Sequence, residues 1–362
     1  MPDAIRCALF TPISTHQKGN GLAHRARFWH EVLSRFGPVT TIVVPLAGRP
    51  PPRQPNGIVE VIVSLTSVSV PTDAAVTAHL PNRARMAPEF AGRVWRSPDE
   101  VFDLVVVLRA YCAPFAFGAV AGTDALVIVD CDDDDAAFHE DAGDHEEAAR
   151  YRALLAQIER RAERVVSVTG FGSTVAVANS VEYAPARRAH CDDGRRVIMV
   201  GNFGYSPNVD GARWFIDEVL PLVDDIDFVI AGPGSQSLAP HGIGFVKNID
   251  ALYANAQVVV VPLLSGSGSR IKAIEAFAAG VPLVGTTVGM SGLHIRPGVD
   301  CMVADEPITF AAALRRLLDE PDFAHGLAAS ALADVVPQYL RQFVADGAQR
   351  LLEECLNHTI RS

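Results

Sequence analysis

The sequence predicts an α/β protein built on parallel sheets with helices on both faces, divided into two domains. Three observations carry that expectation. Val258 to Val261 are four consecutive β-branched residues, the habit of a strand buried on both faces. A Ser/Gly loop, a helical pattern from Arg270 to Ala279 and a second strand at Val281 to Gly285 follow directly, which makes one βαβ unit. The length of 362 residues suits two domains of ordinary size, each able to bury its own core.

Within that unit the helix presents apolar Ile271, Ile274, Phe277 and Ala278 on one face. Ser269 or Ser267 is placed to cap its start and Gly280 to stop it. The glycine loop feeds a helix N-terminus at the carboxyl edge of a sheet, where backbone N–H groups and the helix dipole favour an anion. Arg270 and Lys272 fall in the first turn, where a cation is disfavoured by a few tenths to about 1 kcal/mol. A diphosphate would satisfy both side chains and the orphan N–H groups; solvated surface charges would leave the mismatch unrelieved. Glu275 follows Lys272 on the same side, placed either to accept both hydroxyls of a ribose or to form a helix-surface ion pair with Lys272.

These residues resemble a known family. The run G-S-G-S-R-I-K-A-I-E-A-F-A-A-G-V-P-L-V, followed by G-M-S-G-L, resembles the donor-site segment of family 4 glycosyltransferases of the GT-B fold, especially the exopolysaccharide sugar transferases. Upstream, M-V-G-N-F-G-Y-S-P-N-V-D-G-A-R-W-F at 199 to 215 resembles the opening of the same nucleotide-binding domain. The resemblance implies two Rossmann-like domains with parallel sheets facing across a cleft, and a retaining transferase using a UDP- or GDP-sugar. It implies Arg270 and Lys272 near the phosphates and Glu275 on the ribose. Further donor contacts are implied at Gly201, Asn202, Gly232, Val246, Lys247, Ser267, Gly268 and Ser269. The family pattern has a glutamate where this chain has Ser267, which alters or removes an expected contact with the donor sugar.

Composition limits the alternatives. Hydrophobic residues make up 49% of the chain and charged residues 20%, which argues for a folded enzyme. The net charge of −11 argues against nucleic acid, whose binding needs a basic stripe. No basic amphipathic helix suggests an anionic membrane surface. No run approaches eighteen apolar residues and the N-terminus MPDAIRCALFTP reads as a strand, so a cytoplasmic protein is expected. Cysteines at 7, 112, 131, 191, 301 and 355 lack the spacing of a disulfide framework or zinc site. No cofactor is expected beyond the nucleotide sugar as donor substrate. Only three lysines, Lys18, Lys247 and Lys272, accompany 28 arginines, and all three fall in or beside loops expected at the cleft.

In chain order, a strand at Ile5 to Phe10 leads into TPISTHQKGNGLAHR and a helix through about Phe36. Gly19 and Gly21 make a second glycine-rich turn, which resembles the GT-B loop facing donor phosphates and acceptor; His16, Lys18 and Arg25 are then acceptor-side candidates. Strands at Val39 to Leu46 and Val59 to Leu65 flank the proline-rich PLAGRPPPRQPNG, and a short helix is expected near Asp73 to His79. Phe102 to Leu108 is a strand ending at Arg109, a catalytic candidate where relatives often have histidine; its alternative is pairing with the acidic stretch downstream. The strand Ala125 to Val129 discharges into a run in which ten of the eighteen residues from Asp130 to Glu147 are acidic. That run is expected to be a solvated loop rather than a metal site, with Asp130 and Asp132 as acceptor-side candidates. Its field would draw in a cationic acceptor. A helix is expected at Arg150 to Glu163.

The domain assignment is therefore 1–182 on the acceptor side, a linker at 183–196 and 197–335 on the donor side. A terminal segment, 336–362, is expected to brace the first domain, as it does in the family. In the second domain, strands are expected at Val197 to Val200, Asp227 to Ala231 and Ile243 to Val246, and a helix at Ile308 to Leu318. The function implied is transfer of a sugar to a hydroxyl of a small-molecule or saccharide acceptor. The rivals are a nucleotide-sugar epimerase or hydrolase on the same fold, and a non-catalytic sugar-nucleotide-binding module.

Overall fold

The computed structural model describes residues 4–17, 21–44, 60–62, 101–182, 195–266 and 270–359. The proline-rich stretch, the helix expected at Asp73 to His79, Lys18, Gly19, Ser267, Gly268, Ser269 and most of the expected linker lie outside them. Two compact units emerge. One holds the described residues up to Asn179 together with those from Val344 onward, and the other holds the described residues between Ser180 and Phe343.

The first unit carries a seven-stranded sheet in the order β3-β2-β1-β4-β5-β6-β7. Its strands are β1 (Cys7–Thr11), β2 (Val39–Val43), β3 (Glu60–Ile62), β4 (Leu104–Leu108), β5 (Leu126–Asp130), β6 (Arg164–Ser167) and β7 (Val175–Ala176). Every pairing is parallel. All five residues of each of β1, β4 and β5 are buried, so the period of two divides their side chains between two apolar layers. Ala8, Phe10, Val105, Val107, Val127 and Val129 face one layer, covered by α2 (Ala113–Ala119) and α4 (His145–Arg161) through Phe115, Tyr151, Leu154 and Ile158. Cys7, Leu9, Leu104, Val106, Leu126 and Ile128 face the other. Phe28, Trp29, Val32 and Leu33 of α1 (Gly21–Ser34) cover that side with Val344, Ala345, Ala348, Leu352 and Cys355 of α11 (Arg341–Thr359).

The acidic run is not the solvated loop expected of it. It forms α3 (Asp135–Asp141) and enters α4, which begins at His145 rather than Arg150. Asp134 caps α3 by accepting from the Ala137 N–H, and Asp144 caps α4 by accepting from the Glu147 N–H. Carboxylates concentrated at helix starts are stabilised by the orphan N–H groups and the dipole. Charge counting alone does not register that placement.

The second unit carries a six-stranded sheet in the order β10-β9-β8-β11-β12-β13, comprising β8 (Arg196–Val200), β9 (Asp227–Ala231), β10 (Gly242–Gly244), β11 (Val258–Val261), β12 (Leu283–Gly285) and β13 (Met302–Val303). These pairings are parallel as well. Helices α5 (Ser206–Trp214), α6 (Ile249–Ala254), α7 (Ile271–Ala278), α8 (Thr287–Met290), α9 (Pro307–Asp319) and α10 (Pro321–Ser330) complete it. Val197, Met199, Phe228, Ile230, Val258 and Val260 pack under Phe215, Phe310, Leu314 and Leu317. The expected strand Ile243 to Val246 is shorter: pairing ends at Gly244, and Phe245 lies 56% exposed. Among the described residues no helix is long and apolar enough to cross a membrane.

Candidate functional site

The site assembles at the carboxyl edge of the second sheet, where β8, β9, β10 and β11 end. Gly232 has φ 135°, and a Cβ there would stand 1.8 Å from the Gly201 carbonyl oxygen, so only glycine lets the two strand ends meet. The Gly201 N–H donates to the Ala231 carbonyl at 3.0 Å, and the Gly232 N–H to the Gly244 carbonyl at 2.8 Å. Gly201 in turn lies against the side chain of Asn208 in the first turn of α5. Asn202 is exposed, with its side-chain oxygen accepting from the Gly204 N–H at 3.0 Å. Val246 is half-buried and Lys247 exposed in the segment between β10 and α6.

At the end of β11 the chain turns into α7. The helix begins at Ile271, and Arg270 occupies its N-cap position with no side-chain capping bond. The Arg270 side chain is buried and donates to three neutral oxygens: the Gly266 carbonyl at 2.7 Å, the Val288 carbonyl at 2.9 Å and the Ser291 hydroxyl at 2.8 Å. Lys272 is only 8% exposed, and its ammonium donates to the Asn208 side-chain oxygen. Among the described residues it forms no ion pair. Burial, and next the positive charge of Arg270, bring the Lys272 amine down to about 7. A buried ammonium held by one neutral amide, beside a second cation at a helix start, is a place where an anion is stabilised by contacts already made.

Glu275, one turn further along α7, accepts from the Tyr253 hydroxyl at 3.1 Å. The helix-surface ion pair with Lys272 is therefore not what the structure contains. Burial raises the Glu275 carboxyl above its ordinary value, against the lowering effect of the Tyr253 hydrogen bond. Tyr253, on α6, is 2% exposed and its hydroxyl also stands 3.5 Å from the Lys272 carbonyl oxygen. Asn208 and Tyr253 carry the settings of Lys272 and Glu275, and neither stands out in the sequence. The one signal for Asn208 was its place after Pro207 in the Y-S-P-N run that opens α5.

In the first unit, three expectations are corrected. Arg25 is 1% exposed and Asp130 fully buried, so neither faces an acceptor. Instead the Arg25 Nε donates to Asp130 at 2.7 Å, and the same carboxylate accepts from the Trp29 indole N–H and from the Asp132 N–H. Arg109, the catalytic candidate, is 6% exposed, with its guanidinium held by Asp132 at 3.2 Å, by Asp133 at 3.4 Å and by Asp135. It pairs with the acidic stretch, the alternative to a catalytic place. Both Arg109 (φ 76°) and Asp132 (φ 64°), just past the ends of the paired strands β4 and β5, have positive φ. Burial, and next the negative charge of Asp133, bring the Asp132 carboxyl up to about 7. Gly21 opens α1, while His16 is half-buried with its Nε2 buried and without a hydrogen-bond partner among the described residues.

With this geometry in view, residues 194–320 match the family described as Glycosyl transferases group 1. An uncharacterized 44.6 kDa protein in the cps region of Klebsiella pneumoniae is 24% identical over 135 residues, 32% of this chain and 35% of that one. The chain thus spans about a third of the length of that relative. The fold is similar to that of sucrose-phosphate synthase from Thermosynechococcus elongatus, with a TM-score of 0.75 at 13% identity over 98% of this chain and 100% of that one. It is also similar to HepE of Anabaena solved in complex with UDP, with a TM-score of 0.68 at 13% identity over 97% and 100% of the two chains. The chain has the GT-B fold, and the stretch similar to the group 1 glycosyltransferases covers its second sheet.

Proposed function

We propose that the protein is a retaining glycosyltransferase of family 4 type, moving a hexose-like sugar from a UDP- or GDP-sugar to a hydroxyl of a small-molecule or saccharide acceptor. The observation that carries this reading is the buried Lys272 ammonium beside Arg270 at the start of α7. It lies inside the segment that matches the glycosyltransferase family. The described partners of these two cations are neutral oxygens. A leaving diphosphate would add negative charge beside these two cations, and in a water-poor setting such stabilisation is usually the largest single contribution to transfer. Proton transfer falls to the departing phosphate on the face of attack, so no side-chain base is required. Residues 197–335 would hold the donor and residues 1–182 the acceptor, in the cytoplasm and with no cofactor. The crystal of HepE with UDP supports a UDP-sugar as the first donor to try.

Less of the acidic run's field is left to draw in a cationic acceptor than its charge count suggests. Asp130, Asp132, Asp133 and Asp135 are turned onto Arg25 and Arg109, which leaves less field to project outward. The test is incubation with a panel of sugar nucleotides, with and without sugar acceptors, following release of the nucleoside diphosphate. Release that needs an acceptor, with the anomeric configuration kept in the product, is the expected result. Release without acceptor would make the protein a hydrolase, and tight binding without release a sugar-nucleotide-binding module.

Two further outcomes are expected. EDTA should leave turnover intact, because the carboxylates of the acidic run hold guanidinium groups rather than standing open to a diphosphate-bound metal. Loss of turnover with EDTA and its return with Mg²⁺ or Mn²⁺ would overturn this. Glu275→Gln should weaken nucleoside diphosphate binding, by roughly 1 to 2 kcal/mol, since an amide accepts from one ribose hydroxyl but presents a donor to the other. Unchanged affinity in the folded variant would leave Glu275 only its bond to Tyr253.

A further inference from the structure

We infer that Asn208 is a positioning residue for Lys272: its side-chain amide ties the ammonium to the turn after β8, so that an incoming diphosphate meets a charge already fixed in place. The inference rests on the reading of Lys272 as a diphosphate ligand. Its geometry is independent of that reading. Asn208 is 6% exposed. Its amide nitrogen donates to the Asn202 carbonyl at 2.8 Å, while its oxygen accepts from the Lys272 ammonium. Both ends of the amide are thus engaged, one on the β8–α5 turn and one on α7. The Asn208 backbone N–H donates to the Tyr205 carbonyl at 3.1 Å, which fixes the base of the side chain as well.

The turn that receives this amide is itself closely held. Gly201 carries no side chain where a Cβ would meet the Asn208 amide at 3.1 Å. Gly232 meets the other side of the same peptide, and Gly244 joins Gly232 through its carbonyl. The path from β10 through β9 and β8 to Lys272 is therefore a chain of direct contacts ending on one amide. Lysine has four rotatable bonds and three donors, and an ammonium left free of Asn208 would sample many positions. The charged groups that face it are Arg270 at the helix start and Glu275 on α7 itself, with the Tyr253 hydroxyl on α6 near its backbone carbonyl. Asn208 is the contact from α5, and it is neutral, so it fixes the ammonium without cancelling the charge that a diphosphate needs.

The experiment uses the full chain labelled at lysine ε-carbons. Three lysines give three resonances, assigned by Lys18→Arg and Lys247→Arg. Asn208→Asp, nearly isosteric, places a carboxylate against the ammonium and should move the Lys272 titration upward by more than one pH unit. It should also weaken UDP or GDP binding more than tenfold. Asn208→Ala, which removes the acceptor, should lower that titration and weaken the nucleotide about tenfold, with the Lys18 and Lys247 signals unmoved in both variants. A Lys272 titration that stays put in both folded variants overturns the inference. So does a nucleotide affinity that falls by the same factor at every pH from 6 to 9 in Asn208→Asp, the mark of a merely structural role. If the unaltered protein binds neither nucleotide, the functional reading fails, and the Lys272 titration in the absence of nucleotide still decides the case for Asn208.

Discussion

Arg25→Met should destabilise the protein by about 3 to 5 kcal/mol, the cost of leaving a buried carboxylate without its cation. Arg25 and Asp130 are 1% and 0% exposed in their side chains, so water cannot replace the lost partner. The Trp29 indole and the Asp132 N–H remain on the carboxylate, but neither carries a charge. The loss is a large share of a total stability of about 5 to 15 kcal/mol, and urea unfolding would show it as a lower midpoint with an unchanged slope. The control is the double change Arg25→Met with Asp130→Asn. Removing both charges restores neutrality, so the double variant should recover part of the loss, whereas independent contributions would add. A single variant within about 1 kcal/mol of the parent protein would show that this pair does not hold the ends of α1 and β5 together.

That pair also shows where sequence reasoning stops. The β11 and β9 strands are legible to the residue, because four valines in a row and D-F-V-I-A before G-P-G leave little choice of local structure. The existence of α7 is legible too, from its glycines and its apolar spacing, but its cap is not: Arg270, expected in the first turn behind Ser269 or Ser267, itself stands at the N-cap position. What decides the chemistry of Arg270 and Lys272 is not local. Asn208 is 64 residues from Lys272, and Tyr253 is 22 residues from Glu275. Arg25 is 105 residues from Asp130. In sequence, Arg25 sits beside a glycine-rich loop and Asp130 opens an acidic run, and each neighbourhood suggests exposure. The fold overrides both, because α1 lies across the sheet whose β5 ends at Asp130. Arg109 is the middle case: the carboxylates that hold it were the stated alternative, and its backbone has a positive φ, unusual for a non-glycine residue.

Binding of UDP or GDP above neutrality should draw a proton into the protein, and Lys272→Met should remove that uptake. In the free protein the Lys272 amine lies at about 7, below its ordinary 10.5. Its effect on stability therefore runs opposite to that of a paired lysine: the penalty for burying the ammonium is full below pH 7 and is relieved as pH rises from 7 toward 10.5, where only the unfolded chain still holds the proton. A bound diphosphate reverses the local field and restores the charged form. At pH 6 the proton is already present and binding takes up none; at pH 8 most molecules must acquire it, so affinity should fall by up to tenfold per pH unit above 7. Calorimetry at pH 8 in buffers of different ionisation heat reads the uptake directly. Lys272→Met removes a charge-assisted contact worth about 1.5 to 3 kcal/mol, so it should weaken binding most at pH 6 and leave an affinity nearly flat from 6 to 9. Arg270→Ala is the less clean comparison, because that guanidinium also holds the Gly266 and Val288 carbonyls and its loss would loosen the turn itself. A binding heat at pH 8 that is the same in every buffer, or a Lys272→Met protein that binds as tightly as its parent, would place the diphosphate elsewhere.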